Sequence, residues 1–297
     1  MTDFVQLIVA GVAVGFQYAL IALGFVIIFK ATHVINFAQG GFVMLGAYIS
    51  YQVTDLWGLP YLIGVPVAML VGAITGLIVE RLILRKMVGK PLFALIMITV
   101  GLLFIIQEIC ASIWGSESYN VNDPFGLNTV DIGGVVIPVR NLWAIMLAGL
   151  VLSAFFLFFR YSKLGLAMRA SALDQEAALA MGMSAKRVVA TAWAVAGAIA
   201  ALAGTIVVTD KPLDLTVQFV AILAFPAVIL GGLDSPGGAV VGGIIIGITQ
   251  TLTAGYQPTY AAFLGDHFDS VMPYVVMVLI LLLRPYGLFG TPEVKRI

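Results

Sequence analysis

Charge is what this sequence has least of. Asp, Glu, Lys and Arg make up 10% of its 297 residues, while 61% are apolar and the mean hydropathy is +1.08. Soluble domains carry about a quarter charged residues, so an ordinary water-soluble globule is excluded. Cysteine is nearly absent: Cys110 stands alone in an apolar run, so no internal disulfide can form and no neighbour activates the thiol. The two histidines, His33 and His267, lie far apart and offer no metal-ligand spacing. No G-x-x-x-x-G-K-[ST] loop occurs, since Gly89-Lys90-Pro91 lacks both its spacing and its hydroxyl. Neither a G-x-S-x-G elbow nor an H-E-x-x-H pair is present. The chain is therefore expected to hold no catalytic centre, metal or cofactor, and to bind no nucleic acid.

What fills the sequence is apolar runs of near membrane-spanning length. They predict an all-α, polytopic transmembrane helix bundle of about nine spans in one domain over 1–297, at residues 4–29, 35–53, 61–83, 92–114, 141–159, 187–208, 217–233, 237–255 and 270–283. Only Asp234-Ser235-Pro236 joins the seventh to the eighth, so one of that pair is a candidate re-entrant segment, and eight or ten spans remain possible. Asp3 and the lack of a basic residue before the first run argue for a retained span rather than a cleaved leader. With the N-terminus outside, thirteen of the fifteen Lys and Arg fall on the cytoplasmic side, leaving Arg140 and Lys211 opposite. Such asymmetry is what the positive-inside rule needs. Residues 115–138 are the outer counterpart, with Glu117, Asp123 and Asp131 and no base before Arg140.

Glycine pairs four apart, Gly11/Gly15, Gly72/Gly76 and Gly243/Gly247, predict close helix crossings. Glycine-rich interruptions at 36–41 and 231–238 break the second span and the seventh–eighth junction. They read either as paired breaks around a midplane pathway or as plain tight turns.

The longest polar interruption of the C-terminal half is the loop 160–189. Ser171-Ala172-Leu173-Asp174 reads there as a capping box opening a short helix that ends near Gly182. Leu173, Ala177 and Ala180 form its apolar stripe, and Arg160, Lys163, Arg169, Lys186 and Arg187 surround it. Such a helix reads equally as a docking knob for a soluble partner or as a cap on the bundle.

Glu176-Ala177-Ala178, followed by Gly182, resembles the EAA coupling loop of ABC-importer permeases. The surrounding Met168-Arg169-Ala170, Asp174 and Val188, with Val34-Ile35-Asn36-Phe37-Ala38-Gln39-Gly40 and Arg284-Pro285-Tyr286-Gly287-Leu288-Phe289-Gly290, are similar to LivH-type branched-chain amino-acid permeases. The resemblance implies a permease of a prokaryotic inner membrane, with its C-terminus in the cytoplasm. Its partners would be a LivM-like second permease or a second copy, two cytosolic ATPases holding the ATP and Mg, and an extracytoplasmic solute-binding protein. Asp174, Glu176, Ala177, Ala178 and Gly182 would couple to the ATPase. The family commonly reads Asn-Phe-Ala-His-Gly-Glu where this chain has Gln39 and Gly41. That departure leaves urea, short amides and other small organic acids open beside branched-chain amino acids. An ATPase-independent transporter or channel is the rival class, but it expects paired ionisable groups within the spans.

Polar residues inside spans are the candidate pathway. Glu108 is the one carboxylate read as lying well inside a span. It either holds the ammonium of a zwitterion or anchors the outer end of its helix. Asn36 and Gln39 share a helix face and either line the path or bond neighbouring backbone. Gln250, among Thr249, Thr251 and Thr253, and the pair Gln17/Tyr18 are weaker candidates, with packing roles favoured.

Overall fold

The computed structural model describes residues 2–87, 89–121, 124–126, 128–173, 181 and 183–291. Helix α1 (Thr2–Thr32) is followed by α2 (Gln39–Tyr51), α3 (Tyr61–Leu82) and α4 (Leu92–Trp114). A hairpin of β1 (Thr129–Ile132) and β2 (Val135–Pro138) leads into α5 (Val139–Tyr161) and α6 (Lys163–Leu173). Then come α7 (Ala185–Val207), α8 (Phe225–Gly231), α9 (Pro236–Tyr260) and α10 (Met272–Leu283). Among the described residues, α1, α3, α4, α5, α7 and α9 are the six helices long and apolar enough to cross a membrane. At 1.5 Å per residue, the 23 residues of α4 reach about 34 Å, enough for a hydrocarbon layer of about 30 Å.

Three of the nine expected spans are shorter or broken. The second begins only at Gln39 and widens into a π-helical turn, Gln52–Leu56. The seventh divides into a 3-10 turn, Leu215–Phe219, a single turn Val220–Leu223 and the short α8. The last keeps the twelve residues of α10. Local chemistry explains the first break. His33 takes a left-handed φ of 56° and stops α1, a conformation that His adopts more readily than most residues. The Asn36 side chain then accepts from the Ala38 amide at 3.1 Å, turning the chain into α2.

The β hairpin is an addition to the all-helical expectation. Thr129 pairs with Pro138 and Ile132 with Val135, and Gly133 and Gly134 turn between them at φ 65° and 87°. Two adjacent positive-φ residues are what a type I′ hairpin turn requires.

The chain divides into two compact units. In the first (1–26, 125–148 and 221–297), α1 crosses α9 through the predicted glycines. A Cβ on Gly11 would lie 2.7 Å from the Ile248 Cα, and one on Gly15 2.7 Å from the Ile244 Cα. With no hydrophobic drive between helices in lipid, this backbone proximity is itself the source of dispersion energy. α8 packs on α9 with Gly242 against the Ala227 carbonyl.

In the second unit (27–124 and 149–220), α7 is the hub. α3 approaches it with Gly72 against Gly197 and Gly76 against the Trp193 carbonyl, while α2 seats Gly46 on Ala201. α2 is the most enclosed helix here: every residue from Gln39 to Tyr48 is buried, as is Ser50. All three glycine pairs read from the sequence thus serve crossings inside this chain.

Candidate functional site

Buried polar groups concentrate in the second unit, at the two ends of α2. At its start, Asn36 and Gln39 are wholly buried, and the Asn36 amide donates to the Gln39 carbonyl oxygen at 3.4 Å. Thr99 of α4 closes the group: its hydroxyl accepts from the Phe37 amide at 3.2 Å and donates to the Ile96 carbonyl at 2.8 Å. The Gln39 Nε2 has no acceptor among the described residues. Of the two readings of this pair, the local hydrogen bonds account for Asn36, whereas the Gln39 amide keeps an unused donor.

At the other end of α2 lies a second cluster. Gln218 of the 3-10 turn donates to Gln107 of α4 at 2.9 Å, and Trp114 Nε1 donates to Gln52 at 2.7 Å. Tyr48 stacks on Trp114 with ring centroids 5.3 Å apart, and Tyr51 on Tyr119 at 4.9 Å. Tyr119 also donates to the Trp114 carbonyl and pairs its backbone with Leu213. The Tyr48 hydroxyl, Ser50 Oγ and Gln218 Oε1 are buried without a partner among the described residues. Buried polar atoms are nearly always satisfied. Open donors and acceptors at both ends of α2 and on the 3-10 turn beside it therefore mark where water or a small polar solute can be held by neutral groups. α2 rises about 20 Å over its 13 residues, so the two clusters bracket much of a membrane half-thickness or more. Tyr48, Gln107 and Gln218 are not singled out as a group by sequence, because their convergence is tertiary.

The remaining pathway candidates lie elsewhere. Gln250 belongs to the first unit, where it accepts from the Tyr18 hydroxyl at 2.6 Å, tying α9 to α1. Thr249, Thr251 and Thr253 turn their hydroxyls back to carbonyls of their own helix, at 2.7, 2.9 and 2.8 Å, consistent with packing. Glu108 is exposed, on the side of α4 away from Cys110, and no described group donates to it. The buried carboxylate is instead Glu80, 2% exposed at the end of α3, which the sequence reading passed over. Arg85 clamps it through Nε at 3.1 Å and a terminal nitrogen at 2.8 Å.

The loop 160–189 corrects one expectation. Ser171 does not open a helix; it lies inside α6, which begins at Lys163. The cap is Ser162, whose hydroxyl accepts from the Gly165 amide at 2.8 Å, a Ser at the N-cap serving the third amide of the helix. Ser171 falls in the last turn of α6, and Asp174, the far end of the S-x-x-D pattern, lies outside the described residues. α6 packs on α7 with Met168 buried, and the Arg169 guanidinium caps the Arg160 carbonyl at 3.1 Å. The coupling candidates Asp174, Glu176, Ala177, Ala178 and Gly182 lie outside the described residues. Met181, beside Gly182, is 82% exposed.

The two C-terminal motif stretches meet in the first unit. The Leu288 amide donates to the Leu230 carbonyl at 2.8 Å and the Phe289 amide to the Gly231 carbonyl at 3.2 Å. Asp234 receives the Thr291 amide at 3.2 Å and its hydroxyl. The glycine-rich break at 231–238 is therefore pinned by the segment 284–291, with Ser235 capping α9 through the Gly238 amide at 3.0 Å.

Long apolar helices packed glycine to backbone, with neutral polar groups buried between them, define a polytopic helical membrane protein. The chain belongs to the family described as branched-chain amino acid transport system / permease component, whose profile matches residues 7–281. BraD of Pseudomonas aeruginosa, a high-affinity branched-chain amino acid transport system permease protein, is 29% identical over 310 aligned positions, covering 99% of this chain and 98% of its own length. LivH of Escherichia coli K12, of the same description, is 28% identical with the same coverage. The probable LivH of Methanocaldococcus jannaschii is 31% identical over 285 positions, covering 91% and 88%.

Proposed function

We propose that this chain is one permease subunit of an ABC importer in a prokaryotic inner membrane, carrying branched-chain and similar hydrophobic amino acids inward. The observation that carries the reading is the near full-length match to BraD and LivH, both described as branched-chain amino acid permeases. The solute class comes from those relatives, and the chain's own features are compatible with it. The apolar walls of the second unit suit an aliphatic side chain, and the open amides and hydroxyls along α2 suit the polar end of an amino acid.

Nine membrane segments are read in this proposal, six long and three short, acting as one permease domain with the N-terminus outside and the C-terminus in the cytoplasm. Lys30, Arg81, Arg85, Lys86, Lys90 and the bases of 160–189 then face the cytoplasm. The acidic outer segments face a solute-binding protein. Two cytosolic ATPases, holding ATP and Mg, grip the loop through Asp174, Glu176, Ala177, Ala178 and Gly182. A ligand can bias a bundle only through differential contact with its two states, and this loop supplies that contact for the motor. A second permease, LivM-like or a second copy of this chain, completes the transporter.

Reconstitution tests the reading. The chain, its partner permease, the ATPases and the binding protein in proteoliposomes should accumulate labelled leucine only with ATP. Uptake by this chain alone on an ion gradient would reject the reading, and uptake of urea or acetamide but not leucine would reject the solute class.

A further inference from the structure

The residue that the fold leaves hardest to account for is Glu108. α4 turns Gln107, Cys110 and Trp114 toward α2 and the 3-10 turn. Its other side carries Glu108 among Phe104, Ile105, Ile109 and Ile113, which are 56%, 54%, 48% and 62% exposed. With Ser112 they line a shallow groove of about 590 Å³ whose walls are almost wholly apolar.

Depth makes this costly. Glu108 lies six residues before the end of α4 at Trp114, hence about 9 Å along the axis. With about 34 Å of helix over about 30 Å of hydrocarbon, that leaves the residue roughly 7 Å inside the apolar layer. Helical side chains lean toward the N-terminus of their helix, so the Glu108 carboxylate is carried away from the nearer membrane surface. It cannot snorkel outward as a lysine at the same level would. An ionisable group held there is rare and normally paired within protein, yet no described group of this chain donates to it.

We propose that this face of α4 is covered in the assembled transporter by a spanning helix of the second, non-identical permease, which presents a basic or amide donor to the Glu108 carboxylate. The inference rests on the two-permease reading above. Charge decides between partners. No Lys or Arg occurs between Leu92 and Trp114, so a second copy meeting through the same face would oppose carboxylate to carboxylate in an apolar layer. A partner helix with a donor removes that cost, and the flanking Phe and Ile side chains supply the apolar packing around it. Ser112, one turn on, leans toward the same level and leaves room for a bulkier partner side chain.

The test uses the intact complex in its native membranes, with a photo-reactive phenylalanine analogue placed at Ile109 or Ile113. A covalent adduct with the second permease is expected from both positions. Glu108→Leu should lower co-purification of that permease at least tenfold, with Glu108→Gln restoring most of it. Adducts with lipid or with a second copy, while the wild-type chain still co-purifies with another permease, would overturn the interface but spare the two-permease reading. Failure of any second permease to co-purify with the wild-type chain would remove that reading, and this proposal with it. A Glu108→Leu complex that assembles normally but has a raised KM for solute would assign the carboxylate to the solute's ammonium and overturn the proposal.

Discussion

Removing Arg85 should cost this protein more than removing Arg85 and Glu80 together. Glu80 is 2% exposed, and both its oxygens are held by the one guanidinium at 3.1 and 2.8 Å. Arg85→Met leaves that carboxylate buried and uncompensated, a change that costs about 3–5 kcal/mol when both partners are deeply buried. The Arg85 side chain is 36% exposed, so water can partly replace it and the expected cost falls to about 2–3 kcal/mol. That is roughly a 30- to 150-fold shift in the folding equilibrium. The double variant Glu80→Leu/Arg85→Met exchanges the pair for apolar side chains of similar volume and should lie within about 1 kcal/mol of wild type. Equilibrium unfolding in mixed dodecylmaltoside–SDS micelles, followed by tryptophan fluorescence, measures all the variants on one scale. A single variant no less stable than wild type, or a double variant at least as unstable as the single, would refute the role given to the clamp.

Three further outcomes follow from the packing and the polar clusters. Gly15→Leu or Gly247→Leu forces α1 and α9 apart and should lower unfolding stability by about 2–3 kcal/mol in the same micelle assay, whereas Ala at the exposed Gly101 should not. Gln39→Leu removes an unused buried donor but also the oxygen that accepts from the Asn36 amide, so stability should fall by about 1–3 kcal/mol while ATP-dependent leucine uptake falls about tenfold; uptake retained in the folded variant would assign Gln39 to packing alone. Ser162→Ala should cost about 1 kcal/mol and raise amide hydrogen exchange at Gly165 and Leu166, while Ser171→Ala leaves that exchange unchanged.

Much of the fold was legible because helix ends are set locally. The fourth span was read as 92–114 and α4 is Leu92–Trp114, since Pro91 precedes its first turn and Gly115 leaves it at φ 87°. Pro60 sets the start of α3 in the same way. Apolar length alone misled for the second and seventh spans, because composition does not register a chain break inside an apolar run. Only the Asn36 turn and the left-handed His33 reveal the former. Ser171 misled as a helix start because α6 already begins at Lys163, capped by Ser162, and carries Ser171 in its last turn. Glu80 was missed because it sits at a helix end that reads as boundary, while Arg85 folds back from the following turn to bury it. The cluster of Tyr48, Gln107 and Gln218 joins segments more than one hundred residues apart, a proximity that periodicity cannot supply.

We propose that a cytosolic ATPase drives this chain through the loop 160–189. Solute-stimulated ATP hydrolysis by the reconstituted complex tests it most directly, comparing wild type with Glu176→Lys and Gly182→Trp after checking that each variant still assembles. Both variants should keep basal hydrolysis but lose stimulation by binding protein and solute. Full stimulation in both would contradict it.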